Sequence, residues 1–175
     1  MNRKVILYIA MSIDGYIAQP NDDLGFLSIV EKDGEDYGYA DFIKTIDTVI
    51  LGRKTYDWIM AQVPEFVHDD KKTFVITRTN KPSKNNTQFY SGNISSLIAE
   101  LKTQEGTNIF IDGGAEVVTL LLKDKLIDEI ILSIIPILVG DGVRLFKDGR
   151  PEQQLELVSL KSFDTGLIQM HYKKI

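Results

Sequence analysis

Asn108-Ile109-Phe110-Ile111-Asp112-Gly113-Gly114-Ala115-Glu116-Val117-Val118-Thr119-Leu120-Leu121-Leu122 is the stretch whose reading decides the fold. It opens as a short apolar strand, turns at Asp112-Gly113-Gly114, and continues with Ala115, Val118, Leu121 and Leu122 recurring at helical spacing. Two adjacent residues without Cβ let a phosphate approach the backbone, and the free N–H groups that open the helix offer donors and partial positive charge. The same corner would equally serve a helix that packs closely on its strand. Gly-Gly alone does not separate the two readings, because the full G-x-G-x-x-G pattern is absent.

On either side, the chain alternates strands and helices. Val5 to Ala10 is a continuous apolar run, suited to a central strand covered on both faces. A loop rich in Asp, Asn, Gly and Pro follows from Met11 to Gly25, placed to act as a ligand lid. Spacing predicts a helix over Glu35 to Ile46 and a strand over Thr48 to Leu51 that ends on Gly52-Arg53-Lys54-Thr55, with Thr55 capping the next helix. Lys72 to Thr77 reads as a strand ending at Arg78, 80–86 as a polar connection, and Thr87 to Tyr90 as a short strand. Asn93 opens a helix ahead of the glycine unit. Beyond that unit lie an apolar strand from Ile127 to Ile137, a brief return over Val143 to Phe146, and a hairpin of Leu155 to Phe163 with Leu167 to Tyr172. The sum is one α/β domain over residues 1–175, with a mainly parallel sheet of about eight strands, an antiparallel C-terminal hairpin and helices on both faces.

Composition narrows the function. A chain of 175 residues can bury a sizeable core, and with no cysteine it holds no disulfide, Cys-zinc site or thiol nucleophile, which suits the cytoplasm. A net charge of −5 without a stripe of Lys and Arg points away from nucleic acid, and no stretch is long enough to span a bilayer. Arg3-Lys4 and the apolar run after it resemble the head of a signal peptide, but the run is short and lacks a small-residue cleavage site. His68 and His171 lack the spacing of metal ligands, so no metal site is expected.

In such a sheet, ligands bind at the carboxyl ends of the strands. Gly52-Arg53-Lys54-Thr55, Thr77-Arg78 and Asp112-Gly113-Gly114 place phosphate-binding chemistry at three of those ends, which suggests a dinucleotide. Arg78 favours NADP over NAD, since a 2′-phosphate wants a cation; solvated strand-end charges are the plainer account of Arg53 and Arg78.

Leu51-Gly52-Arg53-Lys54-Thr55-Tyr56, the Gly113-Gly114 turn and Ile9-Ala10-Met11-Ser12-Ile13-Asp14-Gly15-Tyr16-Ile17-Ala18, in this order, resemble the dihydrofolate reductase superfamily. Within it, Ser12-Ile13-Asp14-Gly15 and the segment from Asp128-Glu129 through Pro136 to Phe146 are more similar to the reductase domain of the bifunctional riboflavin-biosynthesis deaminase/reductase. The resemblance implies a reductase using NADPH, its phosphates held by Arg53, Thr55, Arg78, Gly113, Gly114 and Ala115, with Gly52, Lys54, Thr77, Asp112 and Glu116 completing the strand ends. It implies nicotinamide contacts from the backbones of Ala10 and Ile17. A pyrimidine- or pterin-like heterocycle would be the substrate, 5-amino-6-(5-phosphoribosylamino)uracil first and dihydrofolate second, and the chain would pair as a homodimer. A non-catalytic NADP-binding protein is the alternative from another class. Dihydrofolate reduction needs a proton relayed by a carboxylate on the first helix. Counting back from Gly52 places Asp36 there, whereas aligning Phe42 puts Gly38 in its place; Asp36 could equally favour a helix N-terminus. Asp14 could cap loop N–H groups or approach the substrate. Lys32, Arg144 and Lys147 are the cations available for a ribose phosphate, and no His-x-Glu or Cys-x-x-Cys deaminase motif occurs.

Overall fold

The structure is a computed structural model that describes residues 3–79 and 81–175; Asn80, the start of the connection expected over 80–86, lies outside the described residues. The first half runs β1 (Val5–Ser12), β2 (Tyr16–Ala18), 3₁₀ turns at Pro20–Asp22 and Gly25–Val30, α1 (Tyr39–Lys44), β3 (Ile46–Gly52), α2 (Arg53–Gln62), β4 (Lys72–Ile76) and β5 (Thr87–Tyr90). The second half adds α3 (Ile94–Thr103), β6 (Asn108–Gly113), α4 (Ala115–Lys123), β7 (Glu129–Ile135), β8 (Val143–Arg144), β9 (Leu155–Ser162) and β10 (Ile168–Lys174).

Eight strands form one sheet in the order β5-β4-β3-β6-β1-β7-β10-β9, parallel except where β10 runs antiparallel to β7 and β9. Alternation along the strands divides the core in two. Val5, Leu7, Ile50, Ile109 and Ile111 face α3 and α4, where Leu97, Leu101, Val118 and Leu121 are buried. Ile6, Val49, Leu51 and Phe110 face α1 and α2, meeting Phe42 and Tyr56. Both faces are covered, which is why the inner strands read as continuous apolar runs. At the edge where the strands start, the buried Arg3 guanidinium binds Asp47, the Thr48 hydroxyl (2.8 Å) and the Leu101 carbonyl (2.9 Å). A buried cation is tolerated only when paired in this way.

Several boundaries differ from the sequence reading. The first helix starts at Tyr39 rather than Glu35, because the Asp36 carboxylate takes the N–H groups of Gly38 (2.8 Å) and Ala40 (2.9 Å) and sets the helix start there. Thr55 is not a cap: α2 begins at Arg53 with Gly52 as the flanking residue, leaving Thr55 inside the first turn. The return at Val143 does not join the main sheet; β8 pairs with β2 in a separate two-stranded sheet over the lid. Asn93 caps α3 as expected, its side chain accepting from Ser96 N at 2.9 Å.

Candidate active site

The three strand ends chosen from sequence prove to be neighbours, since β4, β3 and β6 lie side by side and parallel. Two helices leave that edge, and neither α2 nor α4 has a side-chain cap on its first N–H groups. Their starts converge: a Cβ built on Gly52 would stand 3.5 Å from Gly114 N, and one built on Gly114 would stand 3.1 Å from the Thr55 hydroxyl oxygen. Gly113 has φ +106°, which disfavours any side chain there, and a cis peptide bond joins it to Gly114. The result is a corner that brings together a hydroxyl and two helix N-termini without side-chain caps, which fits a pyrophosphate.

Arg53 and Arg78 flank this patch. The Arg53 guanidinium is held by Asp57 at 2.6 Å and stands 5.5 Å from the Phe89 ring, with the Lys81 ammonium 5.9 Å from the same ring. Arg78 is 93% exposed and 3.9 Å from Glu116, a distance that leaves it free to turn to a ligand. Lys54 is exposed, Ala115 is buried at the start of α4, and Thr77 donates its N–H to Tyr90 O at 3.0 Å, so its role is to hold the strand end.

The lid follows β1. Asp14 anchors it: its carboxylate accepts from Ser12 Oγ (2.5 Å), Val139 N (3.0 Å) and Gly140 N (2.7 Å), and these bonds hold its pKa down to about 2. Gly142 is required on the other side, because a Cβ there would lie 2.1 Å from Ala18 O. The loop after β1 is thereby latched to the 139–145 loop, with Ala10 in β1 and Ile17 in β2 on either side of Asp14. Asp14→Ala removes all three bonds, and faster proteolysis inside residues 13–25 is expected. Unchanged proteolysis would show that the latch is dispensable.

Asp112 is the penultimate residue of β6, just before the glycines, on the face of Tyr8 and Ala10. Half-buried, it has no hydrogen-bond or ion-pair partner among the described residues, and desolvation pushes its carboxyl up to about 7. Tyr39 stands nearby; burial and the Asp112 charge raise its phenol, and its hydroxyl meets His68 Nε2 at 3.3 Å. The Tyr8 ring lies 5.6 Å from that of Tyr39, and burial raises the Tyr8 phenol as well. Asp36 sits at the rim, exposed, both oxygens taken by the backbone N–H groups of Ala40 and Gly38, which lower its pKa.

Sequence reasoning missed Tyr8, Tyr39, Ser133 and Gln169 on this floor. For Tyr8, Ser133 and Gln169 the signal was a polar residue at an inward position of a strand, legible only once the register was known, while Tyr39 opens α1. Elsewhere, Lys32 is paired with Asp164, and His171 Nε2 meets Glu129 at 2.9 Å. Arg144 lies over the Tyr16 ring at 4.7 Å, beside the lid.

Residues 57–169 match the RibD C-terminal domain family. The uncharacterized protein YwjB of Bacillus subtilis (strain 168) is 39% identical over 173 residues, 98% of this chain and 98% of its own length. A putative riboflavin biosynthesis protein from Shewanella sp. PV-4 has a solved structure that superposes with a TM-score of 0.90 at 26% identity, covering 98% of this chain and 99% of that one. The diaminohydroxyphosphoribosylaminopyrimidine deaminase/5-amino-6-(5-phosphoribosylamino)uracil reductase of Thermotoga maritima gives 0.74 at 14% identity, covering 99% of this chain and 57% of that one. The dihydrofolate reductase of Enterococcus faecalis, solved with NADP(H), gives 0.66 at 18% identity, covering 99% of this chain and 98% of that one. The last two share the fold, which is dihydrofolate reductase-like. The chain belongs to the RibD C-terminal domain family.

Proposed function

We propose that this member of the family is an NADPH-dependent reductase that delivers a hydride to a C=N or masked carbonyl carbon of a substrate built on a pyrimidine- or pterin-like heterocycle, of the 5-amino-6-(5-phosphoribosylamino)uracil reductase type. One observation carries the reading: a single strand end pairs a glycine cradle suited to a dinucleotide with a half-buried carboxyl pushed up to about 7. The family match and the Shewanella relative support a pyrimidine-type reductase, and the NADP(H) bound by the Enterococcus neighbour supports the cofactor.

When bound, NADPH supplies the hydride. Gly113, Gly114 and Ala115 with Thr55 hold the pyrophosphate, and Arg78, assisted by Arg53 and Lys81, takes the 2′-phosphate. Ala10 and Ile17 orient the nicotinamide through their backbones. As the substrate carbon gains hydride, its heteroatom needs a proton. Asp112, protonated up to about 7, donates it, while Tyr8 and Tyr39 remain neutral and keep the floor dry. Asp36, held ionised by its two N–H partners, serves the start of α1. Arg144, on the lid side, is the cation for a ribose phosphate.

Arg78→Ala is expected to weaken NADPH roughly tenfold or more while NADH changes little, as read by fluorescence titration. Equal losses for both would remove Arg78 from the 2′-phosphate. NADPH oxidation measured with the ribosylaminouracil phosphate and with dihydrofolate separates the two substrates; turnover of neither, with NADPH bound, returns the chain to the non-catalytic reading.

We further propose that residues 1–175 act as one domain and that two copies pair through the terminal hairpin. The edge strand β9 and its partner leave Leu157, Val158, Leu160 and Ile168 exposed, an apolar edge that an unpaired sheet seldom tolerates. The cytoplasm, where NADPH is available, is the location this reading requires. No helix among the described residues is long and apolar enough to cross a membrane.

A further inference from the structure

Gln169 is an amide on the polar face of an alternating strand, Ile168-Gln169-Met170-His171-Tyr172, yet it is buried. It lies on β10 between Ile168 and Met170, is 8% exposed, and stands in register with Ser133 of β7, which is in turn opposite Ala10 of β1. Its amide nitrogen reaches Tyr8 Oη at 2.9 Å, Ser133 Oγ at 3.2 Å and the Tyr37 carbonyl at 3.2 Å. Tyr8 itself donates to the same Tyr37 carbonyl at 3.2 Å. Two amide protons thus face three acceptors, and the nitrogen end is fully committed to the protein.

The oxygen end is not. Among the described residues no donor reaches Gln169 Oε1, and since no sealed side-chain nitrogen or oxygen lacks a partner, this oxygen is not closed off within the protein. The same holds for Asp112 at the far side of the floor. A nearly buried polar group costs free energy unless it is bonded, and a strand that needed only packing would carry a leucine here. Asp112 on β6 and Gln169 on β10 are three strand spacings apart, about 14 Å between backbones, with Tyr8 and Ala10 between them.

We propose that Gln169 is a specificity residue whose side-chain oxygen accepts a ring N–H from the amide edge of a uracil-type heterocycle. Ser133, Tyr8 and the Tyr37 carbonyl are positioning groups that fix the amide so that it presents its oxygen rather than its nitrogen. The inference rests on the reductase reading above and deepens it. It distinguishes heterocycles by the hydrogen they carry: a ring N–H is accepted, and an N-alkylated ring finds the oxygen unpaired and a methyl group against it.

The test uses the NADP⁺-loaded protein and two probes, 5,6-diaminouracil and its 1,3-dimethyl derivative, titrated by calorimetry. The wild type is expected to bind the first at least tenfold more tightly than the second. Gln169→Met, close in volume, is expected to bind both with the weaker affinity, while its NADP⁺ affinity stays unchanged. Equal binding of the two probes by the wild type, no binding of either, or full discrimination retained by Gln169→Met would each overturn the assignment. The wild-type comparison stands even where the variant fails to fold. These outcomes are separable from failure of the broader reading: a protein that reduces the ribosylaminouracil phosphate but ignores methylation loses only the Gln169 assignment, whereas one that binds no NADP⁺ loses both.

Discussion

Asp112→Asn is expected to slow the reduction step about 10²- to 10⁴-fold, the usual contribution of a positioned general acid, with NADPH affinity changed by no more than about twofold. The amide keeps the shape and polarity of the floor and removes only the transferable proton. In the wild type the reaction rate should fall as pH rises through about 7, where the carboxyl loses its proton. The variant should lack that limb. Asp36→Asn is the control: its carboxylate is exposed and engaged with Gly38 and Ala40, so the rate should be retained. A large loss in Asp36→Asn with little in Asp112→Asn would exchange their roles and favour dihydrofolate.

The same group predicts an opposing effect on stability. An unfolded aspartate titrates near about 3.9, and in the folded protein Asp112 titrates at about 7. Between those values the native state binds the extra proton, so its stabilising contribution is complete below the unfolded value and is lost as pH rises through the folded one. Asp112→Asn should therefore flatten the pH dependence of unfolding and melt about 3 °C or more above the wild type at alkaline pH. A gain in stability joined to a loss of rate is what a functional carboxyl held in an apolar setting produces. Melting curves at acid and alkaline pH test the sign.

Gly114→Val carries the second large effect, a loss of NADPH affinity of roughly 100-fold, about 2.7 kcal/mol. A Cβ at this position already stands 3.1 Å from the Thr55 hydroxyl oxygen, and the two methyl groups beyond it would occupy the approach to the first N–H groups of α4. The helix itself can begin with valine in place of glycine, so circular dichroism should remain native. Wild-type affinity in Gly114→Val would show that the corner exists for packing alone.

Much of this arrangement was legible in the chain. The strand, glycine corner and helix around Asp112 set the parallel sheet, and the rule that ligands gather at strand carboxyl ends placed Gly52, Arg78 and Gly113 on one edge before their adjacency was known. Asp112 was read with the cofactor because it precedes the glycines; its raised pKa depends on desolvation, which no linear pattern displays. Ser133 was lost inside an apolar run and Gln169 among the alternating polar residues of β10, since their meeting with Tyr8 requires three strands to be in register. Asp14 left two roles open, and the 139–145 loop, distant in sequence, supplies the donors that make it a latch. Lid pairing through Val143 was hidden for the same reason: two short segments gave no sign of each other until the fold joined them.

The most direct test of the central claim is a single-turnover measurement with purified protein, following NADPH absorbance after mixing with 5-amino-6-(5-phosphoribosylamino)uracil. Loss of one equivalent of NADPH, with formation of the reduced ribitylamino product, is predicted. NADPH that stays bound and unoxidised, or that is consumed by dihydrofolate and not by the uracil, would contradict it.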